Sequence, residues 1–265
     1  MGKIGFIGTG IMGSAVAQLV AKSAVGYELF FSNPTKEKAE KLAQGLNGTV
    51  SENQSIAKDC EIIFLGVKPQ KMAMVLGELS PIFSERKDAF VLVSMAAGLS
   101  LSKIQEFAGA DYPVIRMMPN TPLTVGAGVV QYCATAQCPH LELFGQWMGS
   151  GGLADQIPEE LMDVATAVSG CGPAFCALFL EALADGGVLC GLPRDKALEY
   201  AAMTMVGTGE MILKKKMSPS ALKDGVCSPA GSTIRGVAAL EAVGVRHGGI
   251  QAVRAAYEGS KALGK

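Results

Sequence analysis

The chain has 265 residues, enough for one large domain or two ordinary ones, and two domains are expected. Apolar residues make up 49% and charged residues 18%, which supports a substantial core and excludes a disordered chain. With 23 Lys and Arg against 24 Asp and Glu the formal net charge is −1, so neither nucleic acid nor an anionic membrane surface is expected as a partner.

A predicted strand over residues 3–7 runs straight into Gly8-Thr9-Gly10-Ile11-Met12-Gly13, which opens a predicted helix over 11–22. A Gly-x-Gly-x-x-Gly pattern between strand and helix is a dinucleotide-binding signal. Gly8 permits the tight turn, Gly10 lets backbone amides approach a diphosphate at the positive helix end, and Gly13 allows close packing of helix on strand. Ile7, Thr9, Ile11 and Met12 complete the expected contact segment. The next strand, 28–31, ends in Ser32-Asn33-Pro34-Thr35-Lys36, without the Asp or Glu that would accept both ribose hydroxyls of NAD. Hydroxyls, an amide, a lysine and a helix start with Asn33 as N-cap and Pro34 behind it can receive an extra phosphate. NADP is therefore the expected cofactor, with NAD tolerated through looser contacts.

Further strands at 61–67, 89–94, 114–117 and 128–132 alternate with helical stretches such as 37–44 and 102–108, which predicts an α/β doubly wound parallel sheet. The carboxyl ends of such strands line the ligand crevice. Those ends bring Val67, Lys68 and Pro69, then Met95, Ala96 and Ala97, then Asn120, into the candidate cofactor set. The small residues let a flat ring approach the backbone, and Asn120 offers amide groups to a carboxamide. Gly149-Ser150-Gly151-Gly152 is the clearest break in composition, and beyond Pro158 the strand signal gives way to helices, so the domains are placed at 1–156 and 157–265.

The second part reads as helices at 158–168, 173–190, 194–216, 232–243 and 246–263. The stretch 174–192 is the most membrane-like, but Glu181 and Asp185 inside it would be costly in lipid, and a buried helix of a soluble protein is expected. It is apolar nearly all round, more than its own domain can bury, so a second copy of the chain is expected to cover part of it as a homodimer. Within Val226-Cys227-Ser228-Pro229-Ala230-Gly231-Ser232-Thr233, hydroxyls and small residues precede a helix, so free amides near 231–233 form a candidate carboxylate receptor. Glu181 and Asp185 read as structural partners of other groups, and Lys214-Lys215-Lys216 as a solvated helix end.

Seven cysteines without a Cys-x-x-Cys, and two distant histidines, predict free thiols and no metal site. The first residues carry neither a secretory pattern nor a myristoylation pattern, so a cytoplasmic location is expected.

Residues 6–13, 67–70, 94–98, 116–122, 169–174 and above all 226–241 together resemble the pyrroline-5-carboxylate reductase family, end to end. The resemblance implies reduction of the C=N bond of L-1-pyrroline-5-carboxylate to L-proline by NAD(P)H, on a Rossmann domain joined to an all-α dimerisation domain. By position, Asn33 and Asn53 resemble the family's adenosine-side contacts, and Val67, Lys68, Pro69, Ala96 and Ala97 its cofactor pocket. Thr233 matches the threonine near the imine nitrogen and is the catalytic candidate. Gly231 and Ser232 match the amides that meet the substrate carboxylate, with Ser228 beside them. Higher rings of dimers also occur in the family. An imine nitrogen can take its proton before hydride transfer, so the chemistry needs less of the positioned histidine that carbonyl dehydrogenases use. A 3-hydroxyacid dehydrogenase of similar architecture would need a lysine soon after Gly170-Cys171-Gly172, and none occurs before Lys196. A dinucleotide-sensing regulator would need no carboxylate receptor.

Overall fold

The computed structural model describes residues 2–263. Eight strands form one sheet in the order β3-β2-β1-β4-β5-β6-β7-β8, parallel throughout except where β6 and β7 run antiparallel. The strands are β1 (Gly2–Ile7), β2 (Tyr27–Ser32), β3 (Thr49–Val50), β4 (Ile62–Leu65), β5 (Val91–Ser94), β6 (Val114–Pro119), β7 (Gly128–Ala134) and β8 (Gly152–Gln156). Between them lie α1 (Ile11–Ser23), α2 (Lys36–Leu46), α3 (Asn53–Asp59), α4 (Pro69–Glu85), α5 (Leu101–Ala108) and α6 (Leu141–Gly149). The predicted doubly wound architecture is the observed one.

Continuous apolar runs explain the centre of this sheet. Ile-Ile-Phe-Leu in β4 and the whole of β6 are buried, as strands covered by helices on both faces must be. One face carries Phe31, Phe6 and Phe64 on three neighbouring strands, stacked at ring centroid distances of 5.4 and 4.7 Å. The other carries Ile7, Ile63, Leu65 and Leu92 against Met72, Leu76 and Phe83 of α4. Cys60 lies in that second cluster, and burial pushes its thiol up to about 12, which keeps it protonated and inert.

Two strands escape the sequence. β3 has two residues, too few for a period. β8 is an edge strand with weak alternation, and the glycines read as a domain break instead bring it against β7. Gly152 has φ +138°, and a Cβ there would lie 2.1 Å from the Gly128 carbonyl oxygen.

The expected division at 156/157 coincides with the end of β8, whereas by compactness the chain divides between Cys171 and Gly172. The reason is a polar seam holding α7 (Met162–Ser169) to the sheet. Buried Arg116 of β6 pairs with Glu159 at 3.4 Å and Asp163 at 2.6 Å, and Gln131 of β7 donates to the Ala165 carbonyl at 3.3 Å. The first unit comprises residues 2–171 with 256–263, and the second is Gly172–Ala255.

The second unit contains α8 (Gly172–Leu189), α9 (Arg194–Lys215), α10 (Pro219–Gly225), α11 (Ser232–Ala242) and most of α12 (Val245–Leu263). Only the short α10, capped by the Ser218 hydroxyl accepting the Ala221 amide at 3.2 Å, is absent from the predicted helices. Asp185 pairs with Arg194, the structural role expected of it, and Lys214, paired with Glu210, is exposed near the end of α9, as expected of a solvated helix end. The expectation that 174–192 is a buried helix fails within the chain. Of α8 only Ala184 is buried, and Leu178 and Leu189 are 69% and 88% exposed, because α9 is the main element packed against it and covers only part of its surface. The stretch Glu159–Leu189, whose most apolar 18-residue window has a mean hydropathy of 1.6, is long and apolar enough to cross a membrane by length and composition. It is broken between α7 and α8 and interrupted by Glu181 and Asp185.

Gly152→Ala is expected to lower the stability of the first unit by about 1–3 kcal/mol, through strain and overpacking at the β7–β8 seam, as read from urea denaturation.

Candidate functional site

Strand order reverses between β1 and β4, so the crevice opens at their carboxyl ends. There the chain turns at Gly8, with φ +97°, a conformation that excludes most side chains. Its carbonyl oxygen sits where a Cβ on Gly13 would approach to 2.2 Å and one on Gly66 to 2.3 Å. Three glycines thus close one contact between β1, α1 and the end of β4. A Cβ on Gly10, by contrast, would meet nothing within 4 Å, as befits a residue facing a ligand.

The amides of the turn divide into two sets. Gly8 donates to the Ser32 carbonyl at 2.8 Å and Thr9 to Asn33 Oδ1 at 3.0 Å. Gly10 is the N-cap of α1 and no side chain caps the helix, so the amides of Ile11, Met12 and Gly13 have no partner within it. No acid lies in the first turn, and the positive end of the dipole is left for an anion.

The cleft beside this turn has a volume of about 720 Å³. Of the expected cofactor residues, Ile7, Gly8, Gly10, Ser32, Asn33, Asn53, Val67 and Lys68 line it. Pro69 starts α4 behind Lys68. Thr9 and Ile11 line the opposite side of the turn, toward α2, and Met12 is half-buried in α1. Ala96 is buried under the sheet end, Ala97 packs against Met118, Cys133 and Met162, and Met95 reaches back toward Gly66. The cleft also takes in Lys36, Lys71 and Met74, with Glu52 as the single acid. Lys71, Met74 and Val75 were missed, although their spacing after Pro69 marks one helix face.

Three expectations are corrected. Asn33 does not cap α2, whose N-cap is Thr35; its side chain turns back to bind Thr9, and its Nδ2 donates to the Thr35 carbonyl at 3.0 Å. Asn120 does not offer its amide to a carboxamide, because Nδ2 donates to the Ser169 carbonyl at 3.0 Å and Oδ1 accepts the Val129 amide at 2.9 Å. The Gly231 amide is not available to a carboxylate, since it donates to the Ser228 carbonyl at 3.0 Å.

The rest of the candidate carboxylate receptor is a turn in the second unit. Ala230 adopts φ +58°, Gly231 is the N-cap of α11, and a Cβ at Gly231 would lie 2.3 Å from Ser228 Oγ. No side chain caps α11, which leaves the amides of Ser232, Thr233 and Ile234 and the exposed Ser232 and Thr233 hydroxyls for a ligand.

Residues 159–263 match the family model described as pyrroline-5-carboxylate reductase dimerisation, and residues 3–98 match one described as NADP oxidoreductase, coenzyme F420-dependent. The chain is 41% identical over 268 residues to a pyrroline-5-carboxylate reductase of Synechocystis, covering 99% of this chain and 98% of that one. The chain belongs to the pyrroline-5-carboxylate reductase family. Its relatives there include the Escherichia coli enzyme, 38% identical over 273 residues with 99% and 98% of the two chains covered. Among solved structures, the Plasmodium falciparum pyrroline carboxylate reductase with NADP bound aligns at a TM-score of 0.88 and 35% identity, over 99% of this chain and 98% of that one.

Alanine at two glycines is expected to separate packing from binding. Gly66→Ala lowers stability by about 1–3 kcal/mol through overpacking. Gly10→Ala, pointing into open space, leaves stability within about 0.5 kcal/mol and still weakens NADP+ binding. Thermal denaturation and titration calorimetry read the two effects.

Proposed function

We propose that this protein reduces L-1-pyrroline-5-carboxylate to L-proline with NADPH, completing proline biosynthesis. The observation that carries this reading is kinship with the family over both units, from the glycine turn to the α11 turn. NADPH fits the cleft: free amides at the start of α1 suit a diphosphate, no acid ends β2, and Lys36, Lys68 and Lys71 supply positive charge. NADH is accepted through the same diphosphate contacts.

When bound, the reduced nicotinamide supplies the hydride. The amides of Ser232 and Thr233 hold the substrate carboxylate, with Ser228 and Gly231 shaping the turn beneath them. The ring nitrogen takes a proton to become an iminium, and Thr233 Oγ1 hydrogen-bonds it. Hydride then adds to the ring carbon of the C=N bond, whose π electrons become the lone pair of the proline nitrogen. The protein's task is orientation of two ligands rather than generation of a strong base.

The exposed apolar surface of α8 and α9 is covered by a second copy of the chain, giving a homodimer through the C-terminal helices that can build into larger rings. The apolar α8 is then an interchain helix rather than part of a membrane span, and the protein is a soluble enzyme of the cytoplasm.

The purified protein is expected to oxidise NADPH only when pyrroline-5-carboxylate is added and to form proline in equal amount; no consumption with that substrate would refute the reading. Thr233→Ala is expected to lower kcat by about 10- to 100-fold, the range of a lost proton-handling group. Unchanged turnover would remove Thr233 from the chemistry.

A further inference from the structure

Asn33 occupies the place at the end of β2 where side chains usually choose between the two nicotinamide coenzymes. Its hydrogen bonds are directed elsewhere. Oδ1 accepts the Thr9 amide at 3.0 Å and Nδ2 donates to the Thr35 carbonyl at 3.0 Å, so one side chain joins the glycine turn to the β2–α2 turn across 24 positions of sequence. The Thr9 carbonyl is held as well, by Ser14 Oγ at 3.1 Å. Both peptide groups of Thr9 are therefore tied. Because a trans peptide points its N–H opposite to its C=O, the Ser14 bond also sets the direction of the Gly10 amide.

We infer that Asn33 is a positioning residue: it fixes the glycine turn in the form that leaves the amides of residues 10–13 for a diphosphate, and it serves NADPH and NADH alike. The inference rests on the proposed use of these coenzymes. Without Asn33 the Thr9 amide, which is buried, loses its acceptor, and the turn is free to rotate that peptide toward the cleft. A diphosphate would then meet a turn no longer shaped in advance. The 2′ end of the adenosine is left to the other groups around the cleft mouth, among them Ser32, Thr35 and Lys36.

The test compares Asn33→Leu and Asn33→Asp with the wild type, reading Kd for NADPH and NADH by titration calorimetry together with KM and kcat. Asn33→Leu, similar in size and without an acceptor, is expected to raise Kd and KM for both coenzymes by the same factor, about tenfold for one lost buried hydrogen bond. It is expected to leave the KM for pyrroline-5-carboxylate unchanged. Asn33→Asp keeps an acceptor for Thr9 and is expected to restore NADH binding to the wild-type level. An effect of Asn33→Leu on NADPH alone would overturn the inference, since that is the signature of a 2′-phosphate ligand. So would equal binding of both coenzymes by wild type and Asn33→Leu. If Asn33→Leu does not fold, Asn33→Asp decides: wild-type affinity for NADH supports the inference and a tenfold loss overturns it. Absence of turnover in the wild type refutes the proposed function, while the coenzyme Kd values still read the role of Asn33.

Discussion

The carbonyl of Gly8 is pressed between two positions where no Cβ fits, Gly13 on the first helix and Gly66 at the end of β4. That contact sets how closely β1 and β4 approach at the strand-order reversal, and where α1 begins. The helix start then determines which amides face the crevice. A larger residue at either neighbour would separate elements that the rest of the sheet holds in register over four pairs of residues, from Ile4 with Ile62 to Ile7 with Leu65. Packing and the proposed binding are thus joined at one peptide group, since what closes the core on one side leaves the amides of the proposed diphosphate site open on the other.

The two units solve the burial problem differently. In the first, helices cover both faces of a parallel sheet, and its β4 and β5 carry no exposed residue. In the second, α8 and α9 each bury a single alanine, Ala184 and Ala197. A helix pair that leaves Leu, Val and Met side chains open does not account for its own stability, and association is the physical remedy. The α11 turn shares that second unit. Its uncapped amides cost stability unless water or an anion meets them, which is consistent with selection for binding rather than for folding.

Much of this was legible in the residues alone, for identifiable reasons. The strand, turn and helix at the start were readable because three glycines at fixed spacing have separate steric duties. The helices α7, α8, α9, α11 and α12 were readable because their composition favours helix throughout. What stayed hidden depended on partners far away in sequence. Asn33 followed by Pro34 and Thr35 looks like a helix cap, yet its acceptor is claimed by Thr9. Asn120 looks free at a strand end, yet Val129 and Ser169 use both ends of its amide. The Gly231 amide is spent three residues back, on Ser228. The helix 174–192 reads as core by composition, whereas its burial depends on what packs against it. Sequence pattern specifies local conformation well and hydrogen-bond ownership poorly, because the second is settled by tertiary neighbours.

The most direct measurement is a crystal structure of the enzyme with NADP+ bound. The account requires the diphosphate oxygens at hydrogen-bond distance from the amides of residues 10–13, with the Thr9 amide still on Asn33 Oδ1. A diphosphate bound elsewhere, or a Thr9 amide swung away from Asn33 to meet it, would contradict the account at its base.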